Sequence, residues 1–281
     1  MYRELYRFGG VTFALESDAP LERSLVCEAF HVPDGVPDHT ICLRFSDALP
    51  TPPADALRRD DVFRWQAGAQ RHLLQWVSAP GDIPHFTYAV THGAHTDVIF
   101  ASAYRTGASV STALEAVGLF DVFAARGMLV LHSAYIVTSA GEAILFSGPS
   151  GVGKSTQAAL WERCAGARVV NGDRALVDVG KKTANGIFYA GTSGISENVT
   201  APVRAIVLLG QGSENRVFVP SPQAAFAGVL SQCAYYEWDA RSAEQMTECV
   251  ARLVSDVPVL RMDCLPNATA VEALRGKLGG I

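Results

Sequence analysis

The chain has 281 residues, of which 49% are hydrophobic and 18% are charged, and its formal net charge is −5. Its length and composition predict one large or two smaller globular domains and exclude a disordered protein. An acidic chain without a basic cluster is not typical of proteins that bind nucleic acid or anionic membranes, so we expect neither partner.

The N-terminal stretch MYRELYRFGG and the six cysteines bear on the cellular compartment. The stretch lacks the apolar core of a signal peptide, and no uninterrupted apolar run approaches roughly 18 residues. The cysteines show no CxxC spacing, which disfavours both a disulfide framework and a zinc site. We therefore expect a cytoplasmic protein with reduced thiols.

Short segments of the first hundred residues alternate apolar and polar side chains and are separated by turn-forming residues. This period of two predicts β-strands. The predicted strands are 10–15, 40–45, 61–65, 72–77, 85–90 and 97–100. His92 and His95 suggest a metal pair, but the HGAH stretch lacks a third ligand and is better interpreted as a turn. We predict a β-rich N-terminal domain over residues 1–108.

The period of the pattern changes near Ser109, where we place the start of a second domain, 109–281. Apolar positions at helical spacing predict a helix over 111–127, which opens on hydroxyl residues and closes on Gly127. Two apolar runs, 128–137 and 143–146, flank the turn-forming stretch 139–142 and predict a hairpin.

The stretch GPSGVGKS, residues 148–155, directly follows this hairpin and matches the pattern GxxxxGK[ST] in full. In such a loop, backbone N–H groups surround a phosphate at a helix N-terminus, the lysine reaches the outer phosphates and the serine ligates Mg²⁺. The alternative is a tight turn with a chance lysine, which the strand before the loop and the helical pattern after it disfavour. We predict that ATP or GTP binds with Mg²⁺ to Gly148, Pro149, Ser150, Gly151, Val152, Gly153, Lys154, Ser155 and Thr156.

The next predicted strand, 168–171, ends in Gly172 and Asp173. Ligands of α/β proteins lie at the carboxyl ends of strands, so we expect Asp173 beside the phosphate-binding loop. A carboxylate there can bind Mg²⁺ or take the proton from an attacking hydroxyl. The alternative is a solvated turn aspartate. Asp178, on the following strand, is expected to be structural.

The string Leu131-His132-Ser133-Ala134, the hairpin, the loop 148–155 and a strand ending in a carboxylate together resemble the HPr kinase/phosphorylase catalytic domain. The chain is most similar to HPr-kinase-related proteins encoded beside genes for modified peptides. Segments 191–198, 201–209, 257–259 and 267–278 extend the resemblance over residues 110–281. The resemblance implies an α/β P-loop kinase domain that follows the β-rich domain in the sequence. The fold of this kinase domain is related to that of phosphoenolpyruvate carboxykinase.

Four residue roles follow from this resemblance. Lys154 matches the P-loop lysine of the family, and Ser155 matches its magnesium-binding serine. His132 matches an active-site histidine near the transferred phosphoryl group, although the residue pattern alone indicates a core histidine. Asp173 matches the second of two adjacent aspartates, the one that activates the acceptor hydroxyl.

The chain also departs from the family pattern. Gly172 stands where the family has its first aspartate, so one carboxylate is missing. We expect Mg²⁺ to use Ser155 and Asp173, with Glu197 as a substitute ligand unless it is an exposed loop residue. The late catalytic arginine of the family has no clear counterpart, and three residues remain open for that role: Arg174, Arg204 and Arg216.

Three functions are compatible with this sequence. The favoured one is an ATP-dependent kinase that phosphorylates a Ser or Thr hydroxyl of a peptide or protein. The others are a small-molecule kinase or phosphorolytic enzyme on the same scaffold, and a nucleotide-binding regulator without phosphoryl transfer. Whether the chain forms a homo-oligomer is left open.

Overall fold

The computed structural model describes residues 1–48, 50–77 and 85–279 and combines helices with extensive β-sheet. The chain divides into two compact units, Met1–Leu119 and Phe120–Ile281. The boundary predicted between residues 108 and 109 lies upstream of this division.

The first unit is built on one sheet, which has nine strands in the described residues. The strands are β1 (Tyr2–Phe8), β2 (Val11–Ser17), β3 (His31–Val32), β4 (His39–Phe45), β5 (Leu57–Arg59), β6 (Val62–Ala67), β7 (Gln70–Val77), β8 (His85–His92) and β9 (His95–Phe100). Their order across the sheet is β3-β1-β2-β4-β9-β8-β7-β6-β5. The pairs β2–β4 and β4–β9 are parallel, and the other pairs are antiparallel.

The six strands predicted in this region are confirmed, but β1, β3 and β5 were missed. Charged residues at positions 3, 4 and 7 break the alternation in β1, although its Tyr6 and Phe8 are fully buried. His92 and His95 pair across the β8–β9 hairpin, as the interpretation of HGAH as a turn requires.

The single helix predicted over 111–127 is wrong. Two short helices, α2 (Val110–Ala116) and α3 (Leu119–Ala124), replace it, after the four-residue helix α1 (Leu25–Glu28) earlier in the chain. The side chains of Ser109 and Thr112 form a capping box that starts α2. Gly118 then adopts a φ of +65°, which interrupts the helix while the apolar spacing continues.

The second unit alternates strands with longer helices. Its strands are β10 (Met128–Val137), β11 (Ala143–Ser147), β12 (Arg168–Asn171), β13 (Arg174–Asp178), β14 (Thr183–Asn185), β15 (Thr200–Gln211), β16 (Arg216–Phe218) and β17 (Val259–Cys264). Its helices after α3 are α4 (Lys154–Ala165), α5 (Pro222–Leu230), α6 (Ala240–Asp256) and α7 (Ala268–Leu278). The predicted hairpin corresponds to β10 and β11, and the predicted strand 168–171 corresponds to β12.

Five of these strands close into a ring. Pairing runs β11-β10-β13-β14-β15, and β15 pairs back with β11 in parallel. Strand β17 extends the sheet from β15, also in parallel, and β12 pairs with β10. The chain directions therefore bring the carboxyl ends of β11, β12, β15 and β17 to one edge, where ligands of α/β sheets bind.

Two apolar layers cover the opposite faces of this sheet. Ile206 and Leu208 of β15 pack with α5 and α6, whereas Val207 and Leu209 pack with α4 and α7. Trp161 of α4 is fully buried in the second layer, and truncating a buried side chain of this size typically costs about 3–5 kcal/mol. This packing anchors the helix that begins at Lys154. Within the described ranges, no helix is both long and apolar enough to cross a membrane.

Candidate functional site

The loop from Gly148 to Gly153 connects the buried strand β11 to α4. Gly148 has a φ of +147°, and a Cβ there would lie 3.1 Å from Val152 Cγ1 and 3.3 Å from Leu209 O. Gly153 is the N-cap of α4 with a φ of +110° and has no side chain to cap the helix. The first backbone N–H groups of a twelve-residue helix are thus left for an acceptor outside the helix, which suits an anion.

Lys154 folds back over this loop. Its Nζ donates to Gly148 O at 2.9 Å and to Pro149 O at 3.1 Å, and the residue is 8% exposed. Burial lowers the pKa of the ammonium, while the negative charge of Asp173 raises it. Lys154 and Asp173 therefore lie within electrostatic range of each other. An ammonium has three N–H donors, so the loop carbonyls use two of them.

His132 and Asp173 come together at the same edge of the sheet. His132 lies on β10, where its carbonyl accepts a hydrogen bond from Ser147 Oγ at the end of β11. Its Nε2 is 3.6 Å from Asp173 Oδ1, and Arg174 Nε is 3.3 Å from Asp173 Oδ2. A carboxylate, an imidazole and a guanidinium thus form one cluster beside the loop.

The pKa of His132 is lowered from its usual value. Burial is the largest cause, and the positive charges of Lys154 and Arg174 add to it. The negative charge of Asp173 and a hydrogen bond with Gln232 oppose this shift. The imidazole is therefore neutral near pH 7 and can accept a hydrogen bond or a proton.

Asn171 holds the turn that carries Asp173 and Arg174. It is fully buried, and its Oδ1 accepts the backbone N–H of both residues at 2.9 Å. Its Nδ2 donates to Ile187 O and Tyr189 O at 2.9 Å. The sequence itself indicates this turn, because an Asn before Gly-Asp is typical of a side chain that hydrogen-bonds to the backbone of its own turn.

The loop 190–194 explains why residue 172 is glycine. A Cβ at Gly172 would lie 2.7 Å from Ser193 Cβ and closer still to Ser193 Oγ. A Cβ at Gly191 would lie 2.7 Å from Asp173 Cβ. The space that an aspartate at position 172 needs is occupied by Ser193, so this chain presents Asp173 alone at the end of β12.

Glu197 lies away from this cluster. Its backbone N–H donates to Val170 O, and its carboxylate is 2.6 Å from Nε of Arg168, at the opposite end of β12 from Asp173. The assignment of Glu197 to a metal stays a prediction, and its engagement with Arg168 weakens it.

That Ser155 and Asp173 hold a magnesium ion together with a nucleotide stays a prediction. Among the residues described, no group of three His, Cys, Asp or Glu side chains could hold a metal ion. Mg²⁺ in nucleotide sites usually takes one or two protein ligands and completes its shell with phosphates and water. A hydroxyl at the start of α4 and one carboxylate at the end of β12 are oxygen ligands of this kind.

The three candidate arginines differ in their surroundings. Arg174 lies beside Asp173, and its guanidinium carbon is 5.0 Å from the centre of the Tyr189 ring. Arg204 donates to Leu278 O at 2.6 Å, and Arg216 lies over the ring of Phe218. Arg174 is the one of the three for which the structure gives a contact with the cluster.

A fourth arginine, which was not among the candidates from the sequence, lies near the loop. Arg261 of β17 contacts Asp263 Oδ1 at 3.0 Å, and its guanidinium passes over Gly210, where a Cβ would collide with it. It lines a cleft that also includes Gly148 and Pro149. Its position depends on the parallel pairing of β15 and β17, which local sequence patterns do not reveal.

Two clefts include residues of the loop, and a third includes His132 and Arg174. The α4 cleft, of about 300 Å³, is lined by Gly151, Val152, Gly153, Thr156, Gln157, Gln211, Gly212, Cys264, Leu265 and Pro266. The α5 cleft, of about 400 Å³, is lined by Gly148, Pro149, Leu208, Leu209, Phe218, Pro220, Ser221, Ala224, Gly228, Ser231, Gln232 and Arg261. The His132 cleft, of about 370 Å³, is lined by Phe120, His132, Arg174, Ser231, Gln232, Cys233, Ala234 and Tyr235.

The α5 and His132 clefts share Ser231 and Gln232, so they adjoin. The His132 cleft therefore adjoins a cleft that includes Gly148 and Pro149 of the loop. Comparison with protein-family models found no match for this chain, and comparison with curated proteins found none either.

Proposed function

We propose that this protein is an ATP-dependent kinase that transfers a phosphoryl group to a Ser or Thr hydroxyl of a peptide or protein. The observation that carries the proposal is the position of Asp173, 3.6 Å from His132 and within electrostatic range of Lys154. A base, a cation and a phosphate-binding loop at one sheet edge are the parts that phosphoryl transfer requires.

The loop and Lys154 bind and orient the phosphates in this proposal. The backbone N–H groups at the start of α4 and the ammonium of Lys154 face the anionic chain, and Ser155 and Asp173 hold the metal ion. When bound, magnesium ATP supplies the phosphoryl group and neutralises part of its charge. A nucleotide bound in this way would bring its outer phosphate next to the cluster of His132 and Asp173.

Asp173 accepts the proton of the acceptor hydroxyl. As the oxygen of that hydroxyl bonds to the outer phosphorus, the bond from this phosphorus to the leaving nucleoside diphosphate would break, and the proton would pass to the carboxylate. His132, neutral near pH 7, donates its ring N–H to the oxygen of the same hydroxyl and aligns it. Arg174 faces the negative charge on the transferred group from the other side of the carboxylate.

The His132 cleft is the entry for the acceptor. Its walls carry the aromatic side chains of Phe120 and Tyr235 as well as the polar side chains of Gln232 and Arg174. A half-open cleft of this kind accommodates a peptide side chain, and the adjoining α5 cleft extends it. A small-molecule acceptor is the alternative on the same scaffold.

A nucleotide-binding regulator is the second candidate function. The observation that favours it is Ser193, which fills the space of a second carboxylate at position 172 and leaves Asp173 alone. With two carboxylates, one can bind the metal ion while the other serves as the base. Here Asp173 would have to do both, which favours nucleotide binding without phosphoryl transfer.

The test is mass spectrometry of peptides encoded near the gene after incubation with ATP and Mg²⁺. We expect one added phosphate with the wild type and a rate at least about a hundredfold lower with Asp173→Asn, the loss typical of a removed general base. Asp256→Asn is the matched control, because this carboxylate at the end of α6 pairs with Lys182 on the surface.

Phosphorylation that persists at the wild-type rate in Asp173→Asn contradicts the role of Asp173. The absence of phosphate transfer to any peptide, together with intact ATP binding, favours the small-molecule or regulatory function.

A further inference from the structure

The ring of Tyr189 lies against the guanidinium of Arg174. The guanidinium carbon is 5.0 Å from the centre of the ring, and Arg174 Nε is 3.3 Å from Asp173 Oδ2. A guanidinium over the face of an aromatic ring is attracted by the negative potential of that face. Arg174 is therefore held by two partners, a carboxylate and a ring.

The carboxylate alone would hold this arginine weakly. The side chains of Arg174 and Asp173 are 30% and 29% exposed, and ion pairs with this much access to water contribute little. An arginine side chain also has many rotamers, so a single contact at Nε leaves several of them open. The contact with the ring of Tyr189 adds a second constraint, which limits the guanidinium to positions beside Asp173.

The ring of Tyr189 is itself fixed by its neighbours. It packs on the buried ring of Phe188, with the two centroids 4.2 Å apart, and the carbonyl of Tyr189 accepts a hydrogen bond from Asn171 Nδ2 at 2.9 Å. Asn171 Oδ1 accepts the backbone N–H of Asp173 and that of Arg174. One buried amide thus connects the segment that carries the ring to the turn that carries the guanidinium.

Arg174 keeps N–H donors for a ligand. A guanidinium has five of them, and among the residues that the structure describes only the one at Nε has a hydrogen-bond partner. The residue lines the His132 cleft, where Nε2 of His132 lies 3.6 Å from Asp173. A guanidinium binds phosphate best through two parallel N–H groups, which depends on the orientation of its plane.

We propose that Tyr189 is a positioning residue, whose ring holds the guanidinium of Arg174 at the His132 cleft, ready for the transferred phosphoryl group. The part that concerns the phosphoryl group rests on the proposed function, whereas the contact between Tyr189 and Arg174 does not. Tyr189 acts through Arg174 and bonds to no substrate atom. Its hydroxyl has no part in this role, so phenylalanine can replace tyrosine here.

The first measurement is the mobility of Arg174, from NMR relaxation of its Nε–H group in the full chain without nucleotide. Arg174→Lys removes this signal and so identifies it. We expect an order parameter above about 0.6 in the wild type and in Tyr189→Phe, and a value below about 0.6, as in flexible groups, in Tyr189→Leu. If Tyr189→Leu does not fold, Tyr189→Met fills the space with a flexible side chain and tests the same point.

The second measurement is the rate of phosphoryl transfer from ATP to a peptide that the mass-spectrometric assay shows to be phosphorylated. We expect Tyr189→Leu to lower kcat about tenfold and to leave the KM for ATP unchanged, because the charge on the transferred group is then met less well. Tyr189→Phe keeps the ring and should keep the wild-type rate. In an Arg174→Lys background, Tyr189→Leu should cause no further loss.

Equal order parameters in the wild type and in Tyr189→Leu overturn the inference. An equal loss of rate in Tyr189→Phe and Tyr189→Leu also overturns it, because the effect then belongs to the hydroxyl, and so do independent losses from the changes at Arg174 and Tyr189. If the wild type phosphorylates no peptide, the proposed function fails, and the order parameters alone decide whether Tyr189 positions Arg174.

Discussion

The protonation of His132 depends on the groups that surround the ring. Its carboxylate neighbour Asp173 favours the charged imidazolium, but burial and the two cations Lys154 and Arg174 outweigh this effect and lower the pKa. The folded protein consequently resists protonation of this ring more than the unfolded chain does.

This shift predicts a pH dependence of stability. As pH falls below the usual histidine pKa of about 6.5, the unfolded state binds a proton that folded His132 does not, so the free energy of unfolding decreases. His132→Gln should remove this part of the loss between about pH 7.5 and pH 5.5. Urea unfolding of both proteins at the two pH values measures it.

Equal losses of stability in the wild type and in His132→Gln would show that the ring titrates alike in both states. A larger loss in the variant would mean that the pKa of His132 is raised in the folded protein, the opposite of the shift described above.

At the scale of single residues, spacing and resemblance pointed to the loop, His132 and Asp173, and the structure brings the last two together, but nothing pointed to Asn171 or Arg261. The loop is a contiguous pattern of eight residues that local sequence displays. Arg261 lies near the loop because β17 pairs with β15, which is distant in the sequence, so no local pattern marks this residue.

At the scale of elements, the loop 190–194 and the end of β12 fit each other closely. Glycines at 172 and 191 allow this contact, because a Cβ at either position would collide with the opposite segment. Ser193 also accepts the backbone N–H of Ile195 and donates to Ala190 O, so it is held in place.

This contact predicts the effect of restoring a carboxylate at position 172. Gly172→Asp should destabilise the protein by about 1–3 kcal/mol, because the new side chain collides with Ser193. Combining it with Ser193→Gly should recover part of the loss, giving a coupling of about 0.5–3 kcal/mol in a double-mutant cycle measured by urea unfolding. Additive effects would show that residue 172 and Ser193 do not compete for space.

Strands and helices were predicted correctly where a single local sequence pattern was strong. The hairpin β10–β11 has two apolar runs around a turn-forming stretch, and α4 follows the contiguous pattern of the loop. The predicted helix 111–127 failed because Gly118 interrupts the backbone without interrupting the apolar spacing. Strand β1 was missed because its charged residues hide the alternation.

At the scale of the whole molecule, closure of the five-stranded ring could not be predicted from the sequence. Local periods show that strands exist, whereas the parallel pairing of β11 with β15 joins segments about sixty residues apart. That pairing is nevertheless what brings the loop, Asp173, Arg261 and the α4 cleft to one edge.

The central claim is that the loop 148–155 binds the phosphates of a nucleoside triphosphate. Calorimetric titration with a non-hydrolysable ATP analogue and Mg²⁺ tests it most directly. We predict one bound nucleotide per chain and an affinity at least about tenfold lower in Lys154→Ala, the loss expected for a charged hydrogen bond. Lys181→Ala is the control, since this lysine pairs with Asp178 at a turn. The absence of binding by the wild type, or equal binding by Lys154→Ala, would contradict the claim.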